Sequence, residues 1–333
     1  MRGLAGQPGL PDSRGPLSHA VRRQLLDGAT RLPDHAAVRR SDPYGEDVQL
    51  ALHLCYELHY RGFAHVPDDR EWDAGLLGFR ALLEAHFEGR LRRDCRRFHD
   101  ADEAFADILV EPVGGSGVSH HLVEQGQLWQ MREYAALRSI YQLREADPHL
   151  WVVPRLQGRA KAAMVAVEYD EFGCGRAERM HSQLWADLMS DLDLDHAYGR
   201  YLESAGSETL ATVNLMSLFG LHRRLRGALV GHFAAVEVTS SPGAARLATA
   251  LRRLGAGPAA QLFYDEHVEA DAVHEQLVRR EVVGGLLEEE PGLAADVTFG
   301  IEATGFLEDR LHARVVGAWL AGRSALRTPL GTP

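Results

Sequence analysis

From Pro43 to about residue 327, apolar residues recur at three- and four-residue spacing within stretches rich in Ala, Leu, Glu and Arg. That period puts them on one face of an α-helix, so the span is predicted to be helical. Runs of β-branched residues are short. Ile108, Leu109 and Val110, and again Trp151, Val152 and Val153, are the only tempting strands. Clusters of turn-forming residues predict breaks at Asp147-Pro148, Gly173-Cys174-Gly175, Ser241-Pro242-Gly243 and Glu290-Pro291-Gly292. Residues 1–42 are rich in Gly, Pro, Arg and Asp and read as a mobile N-terminal tail with one short helix over residues 20–26. The expected organisation is a tail (1–42), an N-terminal helical portion (43–125), a helical core (126–327) and a short C-terminal tail (328–333).

Four of the predicted helices carry an ionisable residue on the face that should be apolar. Burying a charge without a partner costs several kcal/mol, so each such residue needs a reason. In the first helix the stripe Met131, Tyr134, Leu137, Tyr141 steps next onto Glu145. In the second, Leu156, Ala160, Met164 and Val167 lead to Glu171, with His181 ten residues further on beyond two glycines. In the third, Val230 and Phe233 lead to Glu237. The fourth is the sharpest. His267, Asp271 and His274 stand at i, i+4 and i+7, within about 60° of arc, and Phe263 and Val278 extend the same stripe at either end.

Four carboxylates balance the charge of two divalent cations, and three neutral imidazoles would complete the shell. Oxygen and nitrogen ligands without thiolate suit iron or manganese. Helical bundles build carboxylate-rich di-metal sites from side chains on facing helices, and a metal pair supplies O2 chemistry that side chains lack. Ten residues of straight helix would hold Glu171 and His181 about 15 Å apart. Either Gly173 and Gly175 break the helix and fold His181 back, or Glu178, three residues before His181, takes the place of Glu171. The apolar stripe favours Glu171.

Composition narrows the classes. The 333 residues carry a formal charge of −11, a poor start for binding nucleic acid. Lys161 is the only lysine among 36 basic residues, whereas histidine is plentiful at 17. Cys55, Cys95 and Cys174 are too few and scattered for a disulfide framework. No run of about 18 apolar residues is present to cross a membrane, and Gly and Pro interrupt the opening residues where a secretory leader would be apolar. A cytoplasmic protein is expected. Gly114, Gly115, Ser116 and Gly117 form a glycine-rich loop without the lysine of a phosphate-binding loop, and read as a connector. In HRRLRG (222–227), Arg223, Arg224 or Arg226 could meet a carboxylate substrate. Cys174 lacks a His/Asp partner set and reads as a turn residue.

The stretches LCYELHYRGF (54–63), EADPHLWVVPRLQGRAKAA (145–163), DEFGCGRAERMHSQLW (170–185), VNLMSLFGLHRRLRGALVGHFAAVEVTSS (213–241) and FYDEHVEADAVHEQLV (263–278) resemble the iron-containing redox enzyme family. That family lies within the heme-oxygenase-like di-iron oxidase and oxygenase superfamily. The resemblance covers residues 43–327. It implies an all-α, heme-oxygenase-like seven-helix bundle with additional N-terminal helices. It also implies a non-heme centre of two Fe(II) ions, with O2 as co-substrate, a small-molecule substrate and an external reductant. Carried over by motif, His267, Asp271 and His274 match the ligand triplet of the last core helix, and Glu237 the carboxylate of the helix before it. Glu171 and His181 match an earlier Glu/His pair, and Glu145 a carboxylate present in only some branches. The implied chemistry is N-oxygenation, oxidative decarboxylation or C–C cleavage. Two alternatives stand beside it: a metal-free bundle that binds or degrades a small nitrogen heterocycle, and a non-catalytic helical assembly protein. Homodimerisation is compatible with all three.

Overall fold

The computed structural model describes residues 6–28, 31–95, 98–111 and 115–330; the side chains at 269 and 271–273 also fall outside the description. The chain runs through α1 (Pro16–Asp27), α2 (His35–Arg40), α3 (Glu46–Glu57), α4 (Ala74–Asp94), α5 (Ala101–Leu109), α6 (Val118–Glu124) and α7 (Leu128–Gln142). It continues through α8 (Gly158–Glu171), α9 (His181–Asp191), α10 (Ser207–Leu221), α11 (Arg226–Leu254), α12 (Pro258–Leu277), α13 (Gly284–Glu289) and α14 (Ala294–Leu320). A π-helical stretch, Val278–Val283, joins α12 to α13 without a break. Among the described residues there is no strand, and no helix is long and apolar enough to cross a membrane.

Helix starts follow from sequence. Asp34, Asp73 and Asp100 each accept a backbone N–H three residues on, at the heads of α2, α4 and α5. Gln127 and Gln130 form a reciprocal capping box at α7. Pro258 opens α12, and Gly255 closes α11 at φ 73°.

The long helices α11, α12 and α14 pack together as the body of the bundle. The approach of α11 to α14 depends on glycine. A Cβ on Gly231 would lie 2.0 Å from the Val297 carbonyl oxygen, and one on Gly300 would lie 2.1 Å from that of Ala228. Helix α10 is apolar on nearly every side and lies inside; α3 is buried from Val48 to Glu57, its polar Gln49, His53 and Glu57 included. The Asn214 amide donates at 2.8 Å to both the backbone and side-chain oxygens of Gln49, tying them together.

Four local expectations are corrected. Residues 16–27, inside the segment expected to be a mobile tail, form α1, which contains the short helix expected over 20–26 but is not mobile tail: it buries Leu17, Val21 and Leu25 against α3. Its first N–H groups are capped by a carboxylate distant in sequence: Asp47 accepts from Leu17 at 2.9 Å and Ser18 at 2.7 Å. Neither tempting strand forms. Ile108 and Leu109 end α5, and Trp151, Val152 and Val153 lie in a 3₁₀ segment, His149–Arg155. Pro242 does not break α11, which runs through it. The ring forfeits one backbone bond, and packing on α12 and α14 holds the helix on both sides. Finally, α7 ends at Gln142, so Glu145 lies on the turn beyond it rather than on the helix. That turn is tightened by Arg144 N–H to the Tyr141 carbonyl and by Ala146 at φ 74°.

Candidate metal centre

Glu171 is the last residue of α8 and His181 the first of α9. Gly173, Cys174 and Gly175 all have positive φ (67°, 53° and 78°), which reverses the chain. Gly173 is needed twice over. Its φ favours glycine, and a Cβ there would sit 2.5 Å from the Arg179 carbonyl carbon. The reversal brings His181 Nδ1 to 2.7 Å from Glu171 Oε2. Glu178, the alternative, is exposed.

From α12, His267 turns its Nε2 toward Glu145 Oε1, 3.7 Å away. Its Nδ1–H donates to the Phe263 carbonyl at 2.7 Å, which fixes the tautomer and leaves Nε2 as the ligating nitrogen. Two turns further along, His274 Nδ1 lies 3.2 Å from Glu237 Oε2 on α11 and 3.9 Å from Glu171 Oε1. Its Nε2 faces Asp170 Oδ2 at 3.2 Å. The Gln142 amide donates to Glu145 Oε1 at 3.1 Å, while Glu145 Oε2 is buried with no hydrogen-bond partner.

Among the described residues these side chains make two groups whose ligand atoms all lie within 4.8 Å of one another. One is Glu145, Glu171, His181 and His267; the other is Glu171, Glu237 and His274. All six residues are buried, and Glu171 belongs to both groups. Asp271 lies on α12 between the two histidines, but its side chain is outside the described residues.

Without metal, protons hold this cluster together. Burial alone would raise the Glu171 carboxyl, but His181, His267 and His274 outweigh it and hold it below the usual carboxylate range. Burial would lower His181, and Glu171 outweighs that and raises it. Burial would likewise lower His274, but Glu237, Asp170 and Glu171 push it up to about 9. A cation placed among these atoms would replace those protons. The donor set is hard oxygen and imidazole nitrogen with no thiolate, which fits iron, and the orphaned Glu145 oxygen is a ready lone pair.

Residues 132–309, more than half of the chain, match the iron-containing redox enzyme family, and every residue of both groups lies inside that span. The chain belongs to this family. It is also 26% identical over 207 residues to a nitrosourea synthase of Streptomyces achromogenes subsp. streptozoticus. That match covers 60% of this chain and 43% of the relative, so the chain spans less than half of the relative's length. The all-helical body is consistent with the heme-oxygenase-like bundle expected from sequence.

In this family member a cavity of about 340 Å³ adjoins the cluster. Its wall includes Glu145, Glu171, Glu237 and His267, and extends to the exposed residues Glu111 and Ser116. The glycine-rich loop therefore contributes to the mouth through Ser116 and Gly117, while Gly114 lies outside the described residues. The basic cluster does not line the cavity: Arg224 pairs with Glu88 and Arg226 with Glu290. Cys174 is an exposed turn residue whose thiol donates to Asp170 at 3.3 Å.

Sequence reasoning missed two neighbours of the cluster. Glu168 is buried, and neither of its oxygens has a hydrogen-bond partner. Burial, then Glu171 and Glu237, push its carboxyl well above the usual range. The signal was present, because a step of four from Met164 reaches Glu168, whereas the stripe was followed by a step of three to Val167. Asp170, half-exposed, is the second; an imidazole's carboxylate partner leaves no periodic trace in sequence.

Proposed function

We propose that the chain is a non-heme di-iron oxidoreductase that uses O2 to oxidise or oxygenate a small organic substrate, by N-oxygenation, oxidative decarboxylation or C–C cleavage. The observation that carries this reading is the sharing of Glu171 between two buried ligand groups. One Fe(II) would be held by Glu145, Glu171, His181 and His267, and the other by Glu171, Glu237 and His274. Asp271, at i+4 from His267, is the seventh proposed ligand. When bound, the two irons supply the electrons for O2 activation, and an external reductant restores them.

The chain's own residues prepare the site. The Phe263 carbonyl holds the His267 ring with Nε2 toward Glu145. Asp170 orients His274, and the Gln142 amide fixes Glu145. Glu168, its carboxyl raised by burial, lies buried beside the acidic groups with neither oxygen hydrogen-bonded. The cavity holds the substrate against this wall and limits water. The likeness to a nitrosourea synthase favours N-oxygenation among the three reactions.

Exposing the anaerobically Fe(II)-loaded protein to O2 tests the reading. O2 should be consumed and a transient visible absorption should appear, neither of which the metal-free protein gives. Iron-loaded protein that neither consumes O2 nor changes its spectrum contradicts the proposal.

A further inference from the structure

His149 is a buried imidazole that metal binding leaves unused. It opens the 3₁₀ segment that follows the turn carrying Glu145. Its backbone N–H donates to the Ala146 carbonyl at 2.9 Å, so His149 and Glu145 share one tight turn, and both line the cavity. The ring is 2% exposed and meets Phe233 edge-on, with centroids 5.0 Å apart. Its Nε2 is sealed and has no hydrogen-bond partner. Its Nδ1 has no protein partner among the described residues either, but it is not sealed, and the cavity is the space it meets. Burial outweighs the pull of Glu171 and lowers the ring to about 4, so at pH 7 one nitrogen carries a proton and the other a lone pair. A phenyl ring would fill the same space and leave no buried nitrogen unmet, which costs about 1–3 kcal/mol.

The adjacent ring of His232, on α11, decides which nitrogen holds the proton. The Thr304 hydroxyl on α14 donates to the Gly300 carbonyl at 2.7 Å, so its oxygen accepts from His232 Nδ1 at 2.8 Å. Burial, then His149, hold the His232 ring well below its usual range, and its Nε2 is left as a lone pair. That Nε2 is sealed and unmet as well, and the two rings lie 5.3 Å apart. A second sealed lone pair on His149 would be repelled by the first, whereas a proton on His149 Nε2 is attracted to it.

We propose that His149 is a specificity-determining residue, locked by Thr304 and His232 as the Nε2–H tautomer, whose Nδ1 accepts a hydrogen bond from a substrate N–H beside the cluster. Thr304 and His232 are positioning residues that act through it. The role rests on the di-iron reading, in which the cluster is the reacting end. The subsite takes a nitrogen that still bears hydrogen and rejects the same nitrogen once it is fully alkylated, because the buried acceptor is then left unpaired. Of the three reactions named above, this favours N-oxygenation, whose target atom is itself a nitrogen.

Two measurements on the full chain test it. The first is nitrogen NMR of the metal-free, histidine-labelled protein at pH 7, with the His149 signals assigned by their loss in His149→Leu. The parent should show the Nε2–H tautomer, and Thr304→Val, which frees His232, should turn it into a mixture. A parent ring protonated on Nδ1, or a tautomer indifferent to Thr304→Val, overturns the proposal. The second is calorimetric titration, metal-free and anaerobically Fe(II)-loaded. The probes are short straight-chain primary amines and their quaternary trimethylammonium counterparts, which keep the positive charge and lose every N–H. At least one amine should bind about tenfold or more tightly than its counterpart. His149→Leu should erase that preference with iron stoichiometry unchanged, and His149→Asn, whose amide oxygen can stand in for Nδ1, should keep part of it. Should His149→Leu fold poorly, His149→Phe keeps the ring and should show the same loss. A preference that survives in the apolar variant is steric and overturns the proposal, as does failure of every amine to bind. The two readings fail separately: an N–H preference set by His149 without iron uptake removes the di-iron proposal alone, and iron uptake without that preference removes this one alone.

Discussion

Two buried ionic clusters meet at consecutive residues, Arg144 and Glu145, and they are built on opposite rules. Arg144, 1% exposed, donates to Glu57 Oε2 at 2.9 Å and lies over the Tyr60 ring. The Tyr198 hydroxyl donates to Glu57 at 2.8 Å, so one anion faces one cation and its lone pairs are met. The neighbouring cluster brings together Glu145, Glu171 and Glu237 with three imidazoles and leaves Glu145 Oε2 unmet. The first arrangement fastens α3 of the N-terminal helices to the turn after α7. The second has acid in excess and open lone pairs, which is stable only with protons or cations among them. Burial alone does not separate a structural charge from a ligand, and neither does one unmet atom, since Arg144 Nε is unmet too; the balance of charge does.

The largest expected effect lies on the fastener. Glu57→Ala strands a buried guanidinium and should cost about 3–5 kcal/mol of stability, measured by urea unfolding. Glu168→Gln, which keeps the shape of a buried side chain whose oxygens meet no partner, should change stability by less than about 1 kcal/mol. Equal losses from the two substitutions would erase the distinction between the clusters.

Next in size is the reversal between α8 and α9. Gly173→Ala places a side chain at φ 67° and against the Arg179 backbone, so a loss of about 1–3 kcal/mol is expected. Iron content should fall as well, because His181 is displaced from Glu171. Unchanged stability and iron content would mean that the turn does not set this pair.

The third effect is a pH dependence. His274 is raised from 6.5 to about 9 in the metal-free fold. Its charged form therefore stabilises that fold fully below pH 6.5, and the contribution is lost as pH rises through about 9. Iron needs the neutral ring, so apparent Fe(II) affinity should rise with pH by up to about tenfold per unit across this window and then level off. Asp170→Asn removes one of the groups raising His274 and should bring the plateau to lower pH. A flat affinity between pH 6.5 and 9 contradicts the proton competition.

The helical body and most of the cluster were legible because their signals are local. A three- and four-residue period led along apolar stripes to Glu145, Glu171 and Glu237, and His267 and His274 share one face of a single helix. What stayed hidden depends on contacts distant in sequence or on backbone reversals. Helix α1 is capped by Asp47, some thirty residues away. The closeness of Glu171 and His181 follows from three consecutive positive φ angles, which two glycines permit but do not dictate. His232 and Thr304 stand 72 residues apart, and neither carries a local mark of meeting the other inside the bundle.

The central claim is that Glu171 is shared by two iron sites, and anaerobic Fe(II) titration of the parent and of Glu171→Ala tests it most directly. The account predicts saturation near about two ions per chain for the parent. It predicts loss of both ions in Glu171→Ala, where Glu237→Ala loses mainly one. A parent that saturates at one ion or none, or a Glu171→Ala protein that still takes up two, would contradict it.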